Sequence, residues 1–382
     1  MDTLTHKFEL KIVQAGLANR GSLLAVFREP VFISDTSNPA AIDLACIPAL
    51  LGRDVLLYVE PAEPYKTIVD FLAAESPDAI YPRDFETRIM LRDLPVVSGF
   101  RRDELAAALK RRCGVIVRNR GIVSTARSLD MAFVAISSVC FATFVKFFTD
   151  YLTETRQGRT DRKRKDAFVR AVDYLTAVPA FQDNLIPGPF TAEQEVLRAM
   201  DEAGKLLVAS RLVDSNFGNI SCRLGDMLYV SRTGSALDDL NGGIVPVYLL
   251  PGEPVPKTVS TEFPAHRQIL TMTEHRTVLH GHPKFTVILS MACDLPDCES
   301  RDACQTGCPH KRFAAGVPIV SGEAGGGPRG LSHTVPPIMQ TGNAAIVYGH
   351  GIFTAGRKDY NEAFRCLAST EEACRLDYFN LL

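Results

Sequence analysis

Three histidines and one glutamate are the residues whose types and spacing could do chemistry in this sequence. His280 and His282 stand two apart in RTVLHGH, residues 276–282. Side chains two apart on a strand point to one face, so the pair offers two ligands from the same side. His350 ends the apolar run AAIVYGH and precedes Gly351, the pattern of a strand delivering a ligand into a turn. Glu262 opens EFPAHRQILTMT, a helix-like segment that runs away before the histidine strand returns. At roughly 1.5 Å per residue outward and roughly 3.3 Å per residue back, both legs cover about 20 Å, which returns Glu262 to the histidines. Three imidazoles leave a divalent metal with open positions, the arrangement of a catalytic rather than a structural site. A free carboxylate beside it can serve as acid or base.

Several elements must hold these residues in place. Thr191 with Gln194 reads as a capping box, and Val196, Leu197, Met200, Ala203, Leu207 and Val208 follow at helical spacing. After that helix come SNFGNISCR, the strand-like MLYVS and RTGSALDDL. Gly218, Asn219 and the Thr233–Gly234 turn put backbone N–H groups and short polar side chains where an anion could be cradled. The last segment, DYNEAFRCLASTEEACRLDYF, reads as a helix with Ala363, Phe364, Leu367, Ala368 and Cys374 inward. His266, one helical turn after Glu262, is expected to be a packed or supporting residue, and His6 and His275 carry no assignment.

Cys293, Cys298, Cys304 and Cys308 follow the histidine strand in CDLPDCESRDACQTGCPHKRF. So short and hydrophilic a segment cannot bury a core of its own. Four thiolates around a second zinc or an iron–sulfur cluster would hold it, with His310 as an alternative ligand. Unpaired thiols are the competing reading. The other cysteines, 46, 113, 140, 222, 366 and 374, sit in apolar or helical surroundings as packing residues. The glycine-rich SGEAGGGPRGLSHTVPP beyond the insert reads as a lid, a substrate wall or a plain surface loop, with His333 a candidate contact.

STEFPAHRQI, VLHGH and IVYGHG together resemble the class II aldolase and adducin family, the fold of fuculose phosphate aldolase. The resemblance covers residues 191–382. It implies a three-layer α/β/α domain with a mixed, largely antiparallel sheet, assembled as a homo-oligomeric ring with active sites between subunits. It places a divalent metal, zinc, on His280, His282 and His350, makes Glu262 the proton carrier, and assigns Asn219, Thr233, Gly234, Ser260 and Thr261 to a substrate phosphate. The implied reaction is reversible aldol cleavage of a sugar phosphate or related hydroxy-carbonyl compound through a metal-stabilised enediolate. No Schiff-base lysine is required. The same fold hosts epimerases, dehydratases and decarboxylases. Ser-Thr-Glu before the helix favours an aldolase, since the related pentose-phosphate epimerases carry aspartate there. A non-catalytic adducin-like scaffold lacks the metal histidines. The tyrosine that such aldolases take from the adjoining subunit, and their longer C-terminal tail, have no counterpart that can be placed here.

The first half echoes the second. RCGVIVRNRGIVSTAR from Arg112 aligns without a gap against GNAAIVYGHGIFTAGR from Gly342, with Gly121 opposite Gly351 and Arg120 opposite His350. RGSLLAVFREPVFISDTSNPAAIDL from Arg20 resembles FGNISCRLGDMLYVSRTGSALDDL from Phe217, and AIYPRDF from Ala79 falls opposite HGHPKF, Pro82 against Pro283. The expected organisation is a degenerate copy of the domain without metal ligands over 1–152, a basic and Pro-rich linker over 153–190, and a catalytic domain over 191–382 carrying the insert 293–310. With 382 residues, 23% charged and a net charge of −2, the chain lacks the global basic field of a nucleic-acid binder. The apolar run Met131–Val145 is too short to cross a membrane and reads as a buried helix. Absence of a signal-like leader and the cysteine usage point to the cytoplasm. The expected partner is a small phosphorylated molecule, with no nucleic acid and no membrane.

Overall fold

The computed structural model describes residues 2–382 except 214–215, 250–253, 294, 296–297, 301–302 and 324–326. The chain divides into two compact units, Met1–Thr176 and Ala177–Leu382. The segment expected as a free linker is shared between them. The end of its basic run opens the helix Arg162–Val172, whose Arg164 is buried beneath the Phe71 ring and paired with Glu75 and Glu154. Burying a guanidinium requires paired carboxylates, and the first unit supplies two. The following Pro-rich stretch belongs to the second unit, where the Leu185 and Gly188 N–H groups donate to Asn361 and Asp359.

The first unit contains β1 (Ala18–Phe27), β2 (Phe32–Ile33), β3 (Val55–Pro61), β4 (Ala79–Ile80), β5 (Leu94–Val97), β6 (Gly114–Val117) and β7 (Gly121–Ala126), in sheet order β2-β1-β3-β7-β6-β5-β4. Only β5 and β6 run parallel. The run read as a buried helix belongs to Leu129–Arg156, which is long and apolar enough by length and composition to cross a membrane. Most of its apolar window is buried within the protein, where Phe144, Phe147 and Phe148 pack against Tyr65, Phe71 and Phe168. It covers one face of the sheet, while short helices around Ile47 and Leu105 cover the other.

The second unit contains β8 (Asn219–Leu224), β9 (Met227–Ser231), β10 (Ile244–Tyr248), β11 (Thr277–Gly281), β12 (Arg312–Ala314), β13 (Val317–Val320), β14 (Ala344–Val347) and β15 (Gly351–Gly356), in order β10-β9-β8-β11-β15-β14-β13-β12. Again, among the described residues, a single pair of strands, β13 and β14, is parallel. The helices Phe263–Met272 and Leu331–Met339 pack on one face around Val278, Phe353 and Val347. Those at Glu193–Ala209, Lys284–Met291 and Tyr360–Asn380 lie on the other. The expected α/β/α architecture is therefore present in both units. The helix Glu193–Ala209 is capped differently from expectation: Glu195, not Gln194, reaches back to the N–H groups of Thr191 and Ala192.

The two sheets also share register. Gly114–Val117 pairs with Gly121–Ser124 as Ala344–Val347 pairs with Gly351–Thr354, at a constant offset. The turns match bond for bond, Arg120 N–H to Val117 O and His350 N–H to Val347 O, with Asn119 and Gly349 both left-handed at φ 56° and 59°. Val55 lies opposite Ala126 as Thr277 lies opposite Gly356. Counting along those strands puts Tyr58 at the place of His280, Glu60 at His282 and Pro61 at Pro283. This corrects the pairing of AIYPRDF with the histidine strand. Ala79–Ile80 is instead a short edge strand at the far end of its sheet, and VLLYVEP occupies the central position.

Candidate metal centre

β11 is flanked on both sides by antiparallel neighbours, with His280 opposite Asn219 of β8 and Phe353 of β15. The His280 ring lies flat on that of Phe353, centroids 4.1 Å apart at 18°. Its Nδ1–H donates to the carbonyl of Ile352 at 3.0 Å, which leaves the Nε2 lone pair facing outward. His282 follows the strand end and turns its Nε2 to 2.9 Å from that of His280. The β14–β15 turn brings His350 in, and the three donor nitrogens lie within 4.8 Å of one another, all buried. The close approach depends on Gly351, where a Cβ would sit 2.3 Å from the Gly281 carbonyl oxygen and 3.1 Å from the His280 ring.

Glu262 arrives as the sequence geometry requires, at the N-terminus of Phe263–Met272. Its carboxylate oxygens stand 3.2 Å from His280 Nε2 and 3.1 Å from His350 Nε2. Burial works against the charge on Glu262 but is outweighed by the imidazoles of His280 and His350 and by its hydrogen bonds, so the carboxyl lies well below the usual carboxylate range. Burial also holds His280 neutral, well below the ordinary histidine range and against the pull of Glu262. A neutral imidazole lone pair, a second imidazole nitrogen and a carboxylate thus converge on one small volume. Such a set is electrostatically satisfied by a cation, and its histidines suit a divalent metal.

Behind the carboxylate runs an oriented chain of hydrogen bonds. Asn219 Nδ2 donates to Glu262 at 2.6 Å, so its Oδ1 is the acceptor toward His266 Nε2–H. His266 Nδ1 must then accept from the Ser221 hydroxyl, 2.6 Å away. Burial lowers His266 to about 4, which keeps it neutral, and the contacts with Asn219 and Ser221 set this tautomer. The spacing contained the signal: Asn219 and Ser221 are two apart on a strand, while Glu262 and His266 are four apart on a helix, so each pair shares a face. The role of Ser221 was not anticipated. His266→Phe should keep the metal but release Glu262, lowering turnover about tenfold with little change in KM, whereas His266→Gln should recover part of the loss. Steady-state kinetics with metal analysis checks this; an unchanged kcat in the phenylalanine variant removes His266 from the positioning role.

The segments expected to hold an anion are brought together. Asn216 Nδ2 donates to Gly234 O, and the Thr233 hydroxyl donates to Val259 O, joining the Gly218 loop, the Thr233–Gly234 turn and Ser260. Thr233 also gives its N–H to Thr258, so its N–H and its hydroxyl both hydrogen-bond within the fold. Asn219 has one N–H committed to Glu262, and Ser260 Oγ accepts from the Glu262 N–H. Gly218 approaches the His280 carbonyl so closely that a Cβ would lie 2.3 Å from its oxygen. Thr261 is exposed and His333 points to solvent on its helix. The glycine-rich loop falls partly outside the described residues.

Among the described residues, the histidine triad is the one set of three or more histidine, cysteine or acidic groups with donor atoms within 4.8 Å. The four insert cysteines are not drawn into a common ligand shell; all are free thiols, with Cys304 buried and the others half-buried.

Residues 198–378 match the profile of the Class II Aldolase and Adducin N-terminal domain. The second unit is a class II aldolase/adducin-family domain. Similar solved structures include L-fuculose-1-phosphate aldolase from Thermus thermophilus, 24% identical over 49% of this chain and 95% of that one, with a TM-score of 0.40. YgbL from Klebsiella pneumoniae, a putative aldolase/epimerase/decarboxylase, is 21% identical over 50% of this chain and 91% of its own, also at 0.40. A sugar-phosphate aldolase from Thermotoga maritima is 19% identical over 49% and 94%, at 0.39. No curated protein matches the sequence. In this domain the buried His280, His282 and His350 form a group able to hold a metal ion.

Proposed function

We propose that the second unit is a lyase that reversibly cleaves a carbon–carbon bond in a small hydroxy-carbonyl compound of the sugar-phosphate type. The observation that carries this reading is the Glu262 carboxylate, buried and 3.1–3.2 Å from two of three converging imidazoles. A divalent cation held by His280, His282 and His350, zinc in this reading, supplies Lewis-acid stabilisation of negative charge developing on a carbonyl oxygen. The residues do the rest. Glu262, ionised and aimed by Asn219, carries the proton to or from the carbon at which the bond breaks. Ser260 and the second N–H of Asn219 offer donors to an anionic end of the substrate, with Thr261 exposed beside them. The Phe353 ring fixes the plane of His280 and shields it from water.

Zinc-loaded protein incubated with a panel of phosphorylated ketoses should release three-carbon phosphate from at least one, and lose that activity on chelation. Inversion, dehydration or decarboxylation of a panel member without cleavage would replace the lyase reading with another reaction of the same fold. The first unit, with Tyr58, Glu60 and Arg120 at the ligand positions, has no part in this chemistry in our reading. The active assembly is a homo-oligomer.

A further inference from the structure

His282 is followed by Pro283, and Pro283 opens directly into the helix Lys284–Met291. Proline brings no side-chain acceptor, so the first N–H groups of this helix need a partner from elsewhere. Glu371 supplies it from the helix Tyr360–Asn380, accepting from the Phe285 N–H at 2.9 Å and from the Thr286 N–H and hydroxyl at 2.8 Å each. The carboxyl is 6% exposed. Burial raises it above the usual carboxylate range, against the pull of those three donors and of Lys284. A charge so placed is tolerated only because its oxygens are met by donors, and a helix N-terminus favours it. Just upstream, the His282 N–H is pinned to the Leu212 carbonyl at 3.0 Å.

The far end of the same helix reaches the turn of another ligand. The Ser290 hydroxyl gives its proton to Val287 O at 2.7 Å, which aims its oxygen to accept from the Gly349 N–H at 2.8 Å. Gly349 immediately precedes His350. The carbonyls of Ser290 and Ala292 take the Arg312 guanidinium, which lies 5.7 Å from the centroid of the Tyr348 ring in the same turn. Eight residues at roughly 1.5 Å each make a rod of about 12 Å between His282 and the His350 turn. The two imidazoles that it joins have ring centroids 5.1 Å apart. The first unit, which has no imidazoles at these places, builds the matching helix differently. There Tyr65–Glu75 is held locally, by Glu63 accepting from the Thr67 N–H and hydroxyl. Setting Ala363–Phe364 against Ala132–Phe133 puts Cys140 at the place of Glu371. The long-range carboxylate clamp thus goes with the histidines.

We propose that Glu371 and Ser290 are positioning residues that make the helix Lys284–Met291 a strut, fixing His282 and His350 at the separation a metal ion needs. The inference rests on the reading of His280, His282 and His350 as metal ligands. Glu371 acts at the start of the strut and Ser290 at its end, and neither is placed among the ligands. A rod held at both ends transmits a displacement from one ligand to the other, so the two residues act as one unit.

The test titrates cobalt into the full chain and follows the visible bands that are missing from the variant carrying His280→Ala and His282→Ala. Glu371→Ala should weaken cobalt at the histidines roughly tenfold or more and shift those bands, the size expected when a group orienting a ligand is removed. Glu371→Gln, whose carbonyl oxygen still accepts from an N–H, should recover part of the loss. Ser290→Ala should also weaken binding. The double variant Glu371→Ala with Ser290→Ala should bind within about twofold of the weaker single variant, because a strut freed at one end has nothing left to lose at the other. Fold-changes that multiply would leave two separate local contacts and overturn the strut. A lower melting temperature with affinity and bands unchanged would make Glu371 merely structural and overturn it as well. If Glu371→Ala does not fold, Glu371→Gln with Ser290→Ala runs the same cycle. A parent protein that takes up no cobalt at the histidines would overturn the ligand reading and the strut with it, whereas a parent that binds beside unchanged variants overturns the strut alone.

Discussion

Glu262→Gln is expected to leave the metal in place and to lower kcat on any cleaved substrate by about 10²–10⁴-fold, with KM much less affected. Glutamine has nearly the same shape, and its carbonyl oxygen can still accept from Asn219, so the oriented chain through His266 to Ser221 survives. What disappears is the carboxylate charge and, with Oε2 kept as the acceptor from Asn219, the basic Oε1 that stands 3.1 Å from His350. The variant separates proton transfer from metal binding. Turnover equal to the parent would show that Glu262 carries no proton in the reaction.

The second large effect is expected from His280→Ala with His282→Ala. Zinc measured by equilibrium dialysis should fall by one equivalent per chain, and cleavage should fall to background. Zinc binding stabilises the folded state: at free metal about 1,000 times Kd, a single site contributes about 4 kcal/mol. The share of the zinc-dependent rise in melting temperature that belongs to this site should vanish with the imidazoles. If zinc content and the rise were both unchanged, the metal would have to be held elsewhere.

Much of this site was legible because its ligands lie on elements of opposite period. His280 and His282 share a face by the alternation of a strand, and Glu262 and His266 share one by the turn of a helix, so local rules brought four groups to one place. The β14–β15 hairpin was also readable, since the Arg112 alignment holds through every paired residue. Other features depend on tertiary context. Pro82 resembled Pro283, but strand position is set by sheet neighbours, and those put Pro61 there. Thr233 gives its N–H to Thr258 and its hydroxyl to Val259, partners that no local pattern foretells. The basic run after Arg156 read as part of a linker because nothing local says that Glu75, far back in the chain, faces Arg164.

The repeated sheet acts as a control experiment already performed within one molecule. Gly121 approaches the carbonyl of Val59 as Gly351 approaches that of Gly281, with a Cβ barred at 2.2 and 2.3 Å. That crowding recurs in a sheet with no imidazole to position. The glycines, the left-handed turn residues and the prolines at the ends of the central strands are therefore what the architecture asks for. Tyr58, Glu60 and Arg120 against His280, His282 and His350 mark where the two sheets part, at the residues of the proposed metal centre, and such a sheet holds its order with either set installed.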